Sequence, residues 1–218
     1  MVILEKMDKF FENRLEGYDE HMLTEIEGAD EFYKFTASQL PKEENAKVLD
    51  LGCGTGLELE EYFSLNPSAK ITGIDLSKGM LEALATKFPD KDLQLICQSY
   101  FDVDFEKEKY DAAVSVESLH HFVSEKKLEL YKKLREALKL DGYFVLTDYF
   151  AESKELEAEY FENFKILKKE QGIEDDAFYH YDTPLTVEHE IEMLNAAGFA
   201  KVEILRNWNA TVTVVAWR

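Results

Sequence analysis

The chain has 218 residues, 45% of them hydrophobic, which favours one substantial folded core over a repeat array or a disordered regulator. Its 45 acidic and 25 basic residues give a formal net charge of −20, so nucleic acid is an unfavourable partner, because its phosphates would meet a field of their own sign. No apolar stretch approaches the roughly 20 residues of a membrane-spanning helix, which predicts a protein without membrane association.

The N-terminal residues and the cysteines bear on location. Glu5 interrupts the first apolar residues, which fits neither a secretory signal nor an Arg-rich transit peptide. The two cysteines, Cys53 and Cys97, cannot build a disulfide framework, and no Cys/His cluster has the spacing of a zinc site. We therefore expect a cytoplasmic protein with reduced thiols and no bound metal.

Charge divides the chain into a scaffold and two acidic additions. Residues 1–45 hold 12 acids and five bases, and residues 151–185 hold ten acids and four bases. The pattern predicts a single domain in which these two segments are helical caps. Residues 46–150 would form its core, and residues 186–218 would add a C-terminal helix and a strand hairpin.

The elements can be predicted in chain order. Apolar residues from Met22 to Leu40 recur at steps of three and four, which predicts one helix that ends at Pro41. From residue 46 onwards, apolar runs typical of strands alternate with helical patterns. Strands are predicted at 47–51, 70–74, 93–97, 110–116, 143–148, 201–205 and 210–217.

Helical patterns separate most of these strands. They are predicted through 57–65, through 80–88 with Ser77 as N-cap, from the cap Ser124 to 138, through 156–167, and through 187–194 with Gly198 closing the helix. Helices of about ten residues or more between strands indicate parallel crossovers, so we expect an α/β protein with a mainly parallel sheet covered on both faces. The short link at 206–209 predicts that the last two strands form a hairpin.

A glycine-rich segment, Asp50-Leu51-Gly52-Cys53-Gly54-Thr55-Gly56, follows the first of these strands. Ligands of parallel sheets bind beyond the carboxyl ends of the strands, and alternate glycines let the backbone approach a ligand closely. A dinucleotide fingerprint requires glycine where Leu57 stands, so the spacing argues against NAD. No Gly-Lys-Ser/Thr follows, which argues against a nucleoside triphosphate.

Two acids accompany this glycine loop. Asp75 stands at the end of the second predicted strand, where a carboxylate can accept hydrogen bonds from ribose hydroxyls. Asp50 precedes the glycines and suits a cationic or amine-bearing ligand. With the loop and a His-containing turn after the fourth strand, the chain resembles the class I, Rossmann-like S-adenosylmethionine-dependent methyltransferases over residues 46–150, and more weakly through the final hairpin.

The resemblance implies a three-layer fold with seven strands, the last one antiparallel, and S-adenosylmethionine as the cofactor. It assigns the methionine part to Asp50–Gly56, the ribose to Asp75 and the adenine to residues after the second and third strands. Many family members have an acid where Ser99 stands, for which Asp102 is a substitute nearby. The implied cofactor-binding residues are Asp50, Gly52, Cys53, Gly54, Gly56, Asp75, Leu76, Met80, Ser99, Tyr100 and Glu117.

Catalysis by methyl transfer depends mainly on alignment and exclusion of water, because the sulfonium leaving group is already activated. A general base is needed only if the acceptor must lose a proton. The resemblance implies that the turn holding His120 and His121 faces the reacting methyl group, and His120 is the first candidate for this catalytic role. The alternative is that the pair only hydrogen-bonds the turn that follows the fourth strand.

Candidate acceptor-binding residues lie in the two acidic segments. Tyr18 and His21 would belong to a lid over the cofactor, or alternatively to the surface entry of a helix. Tyr179, His180 and Tyr181 can stack and hydrogen-bond, and they would line the acceptor pocket or anchor a packed loop.

The sequence thus predicts a methyltransferase that acts on a small molecule and releases S-adenosylhomocysteine, as a monomer or homodimer. The acidity of the caps favours a neutral or cationic acceptor. Methylation of a tRNA base or a protein side chain is an alternative, and it would need a basic groove. A non-catalytic S-adenosylmethionine or S-adenosylhomocysteine binder is another. The candidate basic residues are Lys126, Lys127, Lys132, Lys133, Arg135 and Lys139.

Overall fold

A seven-stranded sheet runs through the computed structural model, which describes residues 2–218. The strands are β1 (Lys47–Leu51), β2 (Lys70–Asp75), β3 (Asp92–Cys97), β4 (Tyr110–Val116), β5 (Leu138–Tyr149), β6 (Lys201–Trp208) and β7 (Thr211–Trp217). They lie in the order β3-β2-β1-β4-β5-β7-β6. From β3 to β5 all neighbours are parallel, whereas β7 is antiparallel to β5 and β6. The predicted mainly parallel sheet with an antiparallel last strand is confirmed.

Helices cover both faces of this sheet. They are α1 (Met7–Asn13), α2 (Tyr18–Glu25), α3 (Ala29–Gln39), α4 (Leu57–Leu65), α5 (Lys78–Lys87), α6 (Ser124–Ala137), α7 (Lys154–Glu170) and α8 (Val187–Ala196), with a 3₁₀ helix at Leu119–His121. In β1, Val48 packs in one buried cluster and Leu49 in the other, because successive side chains of a strand point to opposite faces. Residues of α3, α4 and α5 share the cluster of Val48, and residues of α6 and α8 share the cluster of Leu49. The predicted three-layer fold is therefore confirmed.

The N-terminal helical region differs from the prediction. The single helix predicted from Met22 to Leu40 is wrong, because α2 and α3 are separate and Gly28 lies between them. Gly28 has a φ of 78°, and a Cβ built on it would lie 3.0 Å from the side chain of Trp208. The close approach to Trp208 and the left-handed backbone interrupt the helix where its hydrophobic period continues.

Other boundaries also shift. Strand β5 begins at Leu138 rather than at Tyr143, and a register shift opposite Tyr110–Ala112 accommodates the early start. The hairpin turn is shorter than predicted because β6 continues to Trp208. Ser77 caps α5 as predicted, since its Oγ accepts a hydrogen bond from the Met80 N–H at 3.3 Å. Ser124 is not a cap: it is the first residue of α6, and its hydroxyl donates to Glu125.

The two acidic segments pair with each other. Lys6 and Tyr179 form an antiparallel bridge, the Met7 N–H donates to the Phe178 carbonyl, and the His180 N–H donates to the Glu5 carbonyl, both at 2.9 Å. Helices α1 and α2 and the segment 178–182 together form what we call the cap. Within residues 2–218, no helix has both the length and the apolar character that crossing a membrane would require.

Candidate functional site

The glycine loop after β1 has a backbone that other residue types would strain. Gly52, Gly54 and Gly56 have φ values of 74°, 47° and 75°. A Cβ on Gly52 would lie 2.1 Å from Oγ of Ser118, whereas a Cβ on Gly54 would meet nothing within 4 Å. The loop therefore presses against the chain after β4 on one side and leaves open space on the other, which suits a ligand that approaches the backbone.

Asp75 ends β2 beside this loop. Its Oδ2 accepts a hydrogen bond from the Gly54 N–H at 2.9 Å, and its Oδ1 accepts one from the Ser77 N–H at 2.8 Å. Burial raises the pKa of Asp75, and these two hydrogen bonds act in the opposite direction. The carboxylate is thus held in one orientation at the edge of a cavity, where ribose hydroxyls could donate to it.

A small cavity of about 50 Å³ lies against the loop. The residues predicted for cofactor binding that line it are Gly52, Gly54, Asp75, Leu76, Met80, Tyr100 and Glu117. Met7, Phe11 and Tyr18 of the cap also line it. The sequence predicted Tyr18 as a lid residue but gave no role to Met7 or Phe11. These cap residues narrow the cavity beside the glycine loop.

Four residues predicted for cofactor binding do not line this cavity: Asp50, Cys53, Gly56 and Ser99. Burial and the charge of Glu58 raise the pKa of Asp50 well above its usual range. Oδ2 of Asp50 and Oε1 of Glu58 are both buried without a hydrogen-bond partner. The hydroxyl of Ser99 accepts a hydrogen bond from the Phe101 N–H, and its suggested substitute Asp102 lines a separate surface groove.

A second cavity, of about 790 Å³, lies between the cap and the carboxyl ends of β4 and β5. Four residues line both cavities: Phe11, Tyr18, Glu117 and His121. Three carboxylates, Glu16, Glu117 and Asp182, line the larger cavity, and Arg14 is the one lysine or arginine that does so among the described residues. Arg14 is paired with Glu5 at 2.8 Å. The cavity is therefore aromatic, histidine-rich and negatively charged.

The turn after β4 holds the two predicted catalytic histidines: His121 lines both cavities, and His120 lines the larger one. Nδ1 of His120 lies 2.5 Å from Oδ1 of Asp148, and Oδ2 of Asp148 accepts a hydrogen bond from the Leu119 N–H at 2.8 Å. Asp148 lies near the end of β5 and is 1% exposed. It fixes the ring of His120, whose Nε2 lies 3.6 Å from Oδ1 of Asp182 and borders the large cavity.

Charge around His120 is strongly negative. Burial lowers its pKa, but Asp148, Asp182 and Glu117 outweigh this effect and raise the pKa to about 9. Burial raises the pKa of Glu117 to about 7, although the charge of His120 acts against that shift. At neutral pH the ring of His120 is therefore protonated in the ligand-free chain. The carboxylates around it attract positive charge.

His121 and His180 face the same cavity. Nδ1 of His121 lies 3.1 Å from Oδ1 of Asp182 yet makes no hydrogen bond. Burial lowers the pKa of His121, as it does for His180, whose pKa falls to about 4. The ring of His180 stacks on Phe10 with centroids 3.4 Å apart. Both rings are therefore neutral at pH 7.

Of the predicted acceptor residues, Tyr18, His21 and His180 line the large cavity, and Tyr179 and Tyr181 do not. The hydroxyl of Tyr179 contacts Asp175, and the ring of Tyr181 stacks on Phe164 of α7.

Residues missed by sequence reasoning are Phe10, Phe11, Tyr149 and Asp182. Asp182 follows the predicted aromatic triplet directly, so its position carried a usable signal. Phe10 and Phe11 lie in α1, which was not predicted.

Comparisons with known proteins agree with this geometry. The model of a family described as a methyltransferase domain matches residues 48–142. The chain is 28% identical to the carboxy-S-adenosyl-L-methionine synthase of Nautilia profundicola, over 79% of this chain and 77% of that protein. It is 29% identical to the malonyl-[acyl-carrier protein] O-methyltransferase of Priestia megaterium, over 63% of this chain and 50% of that protein. The chain therefore carries a methyltransferase domain over residues 48–142 and is similar to S-adenosylmethionine-dependent methyltransferases.

Solved structures show the same fold. A candidate O-methyltransferase of Nostoc punctiforme superposes with a TM-score of 0.72 at 20% identity, over all of this chain and 63% of that one, so this chain spans less than two thirds of its length. An S-adenosylmethionine-dependent methyltransferase of Mesorhizobium loti superposes with a TM-score of 0.61 at 18% identity, over 84% of this chain and 96% of that one. This methyltransferase uses S-adenosylmethionine, and the glycine loop and Asp75 fit that role.

Proposed function

We propose that this methyltransferase transfers a methyl group to a small molecule bound in the 790 Å³ cavity between the cap and the sheet. The observation that carries the proposal is the shared boundary of the two cavities, which Glu117 and His121 line from both sides. A ligand on the glycine loop and an acceptor in the large cavity would meet at that boundary. Proximity and alignment of this kind account for much of the rate of a displacement reaction.

Each part of the site has a proposed task. S-adenosylmethionine, when bound, supplies a methyl group on a sulfonium that is already an activated leaving group. Gly52, Gly54 and Asp75 bind and orient the nucleoside. Phe11 and Tyr18 of the cap exclude water from the boundary. Because Asp148 occupies Nδ1 of His120, Nε2 is the nitrogen left to act on the acceptor.

The charge of the cavity supports a neutral or cationic acceptor. Glu16, Glu117 and Asp182 face it, and Arg14 already pairs with Glu5. Cys53 and Cys97 are both free thiols, which supports a reducing, cytoplasmic location. We also propose that the chain acts as a monomer or homodimer.

Methylation of tRNA or protein has little support from the candidate basic residues of α6 and its end. Lys127 is buried against Glu190, Lys132 pairs with Glu129, and Lys139 pairs with Asp111. The ammonium of Lys133 donates to three backbone carbonyls, and Arg135 donates to the Gly198 carbonyl. A set of cations already engaged in this way would not form a free phosphate-binding groove.

The test is a calorimetric titration with S-adenosylhomocysteine and NAD, followed by a screen of small neutral, amine-bearing and carboxylate-bearing acceptors for mass gain by one methyl group. We expect one-site binding of S-adenosylhomocysteine, no binding of NAD, and methylation within the neutral or amine-bearing sets. Absence of S-adenosylhomocysteine binding by folded protein would refute the function. Binding without turnover on any acceptor would favour the non-catalytic alternative.

A further inference from the structure

Three potential metal-ligating atoms converge on one point of the large cavity. They come from His120, His121 and Asp182, each of which offers one ligand atom within 4.8 Å of the other two. The atoms nearest to Oδ1 of Asp182 are Nε2 of His120 and Nδ1 of His121. The two histidine side chains are 8% and 5% exposed, and Asp182 is 45% exposed. The two histidines of the group are therefore buried, and Asp182 is open to the cavity.

The contacts within this group have poor hydrogen-bond geometry, although His121 and Asp182 are close enough to interact electrostatically. Nδ1 of His121 and Oδ1 of Asp182 approach to 3.1 Å, yet the buried Nδ1 has no hydrogen-bond partner. Nε2 of His120 lies 3.6 Å from the same oxygen, which is too long for a hydrogen bond. A buried nitrogen aimed at this point without a partner requires an explanation, because most such atoms are paired.

The distances fit a shared metal ion. Ligand atoms about 2.1 Å from a tetrahedral zinc ion lie about 3.4 Å from each other, and those of an octahedral ion lie about 3.0 Å apart. The observed separations of 3.1 and 3.6 Å therefore need only small adjustments. Two imidazoles and one carboxylate form a donor set that suits first-row transition metals and leaves further positions for other ligands.

The surroundings support the ligands in the way that metal sites usually require. Asp148 holds Nδ1 of His120, which directs Nε2 towards the group, and an outer carboxylate of this kind orients and strengthens a histidine ligand. Glu117 and Asp148 add negative charge that a divalent cation would offset.

We propose that His120, His121 and Asp182 bind a divalent transition metal ion that holds an oxygen of the methyl acceptor. This role rests on the proposed function, because it places the ion where the acceptor meets the glycine-loop cavity. An acceptor hydroxyl bound to the ion would lose its proton to water, its oxygen would bond to the methyl carbon, and the carbon–sulfur bond would break to leave neutral S-adenosylhomocysteine. His120 then acts as a ligand rather than as the proton acceptor, since both of its nitrogens are engaged.

The test begins with binding rather than activity. Full-length protein freed of metal with a chelator is titrated with Zn²⁺ by calorimetry and with Co²⁺ by visible absorption. We expect one ion per chain and a Co²⁺ spectrum typical of nitrogen and oxygen ligands. His121→Ala and Asp182→Asn should each weaken binding by at least about tenfold, and Asp148→Asn by about 10–100-fold.

The matched control is His189→Ala, because His189 is paired with Glu157 away from the cavity and should leave metal affinity unchanged. No saturable binding by folded protein, or equal binding by His121→Ala, would overturn the proposal.

Titration of the same metal-free protein with S-adenosylhomocysteine separates this proposal from the proposed function. Retained binding leaves the methyltransferase assignment intact whatever the metal result is. Undiminished methyl transfer in excess chelator would overturn the metal site. Loss of S-adenosylhomocysteine binding in metal-replete protein as well would instead refute the proposed function.

Discussion

The cofactor side and the acceptor side of this molecule are built in different ways. The glycine loop and Asp75 belong to one continuous β1–α4–β2 unit, so their relative positions follow from a short stretch of chain. The acceptor side combines α1, the turn after β4, the end of β5 and the segment around Asp182, which are far apart in sequence. The first arrangement depends on local backbone geometry and the second on tertiary packing. Substitutions should therefore affect the two sides independently.

The largest expected effect is on the cofactor side, from Gly52→Ala. The new Cβ would need a left-handed backbone and would lie 2.1 Å from Oγ of Ser118. Strain of roughly 1–2 kcal/mol and overpacking of roughly 1–3 kcal/mol should together lower the free energy of unfolding by about 2–5 kcal/mol and abolish S-adenosylhomocysteine binding.

Chemical denaturation and calorimetry measure these two effects, and Gly172→Ala is the control. Gly172 also has a positive φ, of 63°, but a Cβ there would meet nothing within 4 Å. This variant should show the strain alone, with unchanged ligand affinity. Equal destabilisation by the two variants would show that the contact with Ser118 has no energetic role.

A smaller effect is expected from Asp75→Ala. Removing a carboxylate that accepts ribose hydrogen bonds should weaken S-adenosylhomocysteine binding by about 1–3 kcal/mol. Calorimetry measures the change, with Asp102→Ala as control because Asp102 lies in a separate groove. An unchanged affinity would remove Asp75 from the binding site.

The sequence predicts the cofactor side better than the acceptor side, because local backbone geometry leaves a pattern in the sequence and tertiary packing does not. The bounds of β1, α4 and β4 are as predicted, because apolar runs, glycines and prolines mark them locally. The break at Gly28 was missed, although glycine is itself a local signal for a left-handed backbone. The nearby Trp208, about 180 residues further along the chain, leaves no room for a Cβ at this position.

The acceptor side was predicted less completely. His120, His121 and His180 were found because they belong to short polar motifs. Phe10 and Asp182 were missed, since the pairing of residues 5–7 with 178–180, which are far apart in sequence, brings them to the cavity.

On the acceptor side, Phe10→Ala should have a modest effect on one ligand only. Phe10 stacks on His180 at 3.4 Å, and Arg14 lies 3.7 Å from the centroid of the same ring. Loss of the aromatic pair should weaken acceptor binding by about 0.5–1.5 kcal/mol, which raises the KM for the acceptor about 2–13-fold. The affinity for S-adenosylhomocysteine should be nearly unchanged.

Steady-state kinetics with an acceptor from the screen measure this change. Phe164→Ala is the matched control, because Phe164 stacks on Tyr181 outside the cavity. A comparable loss of S-adenosylhomocysteine affinity in Phe10→Ala would mean that the two sides are coupled through α1 and would break the comparison.

A last expected effect is a change in the pH dependence of stability, from Asp50 beneath the glycine loop. Burial raises the pKa of Asp50 in the folded chain, so the unfolded chain releases this proton at a lower pH than the folded chain does. Stability should therefore fall as pH rises from the ordinary pKa of an aspartate to the raised one. Asp50→Asn removes the ionisation, so urea unfolding at mildly acidic and neutral pH should show its stability falling less than that of the native chain. Asp90→Asn, in an exposed turn, should follow the native chain, and identical slopes for all three proteins would show that Asp50 is ionised in the folded state.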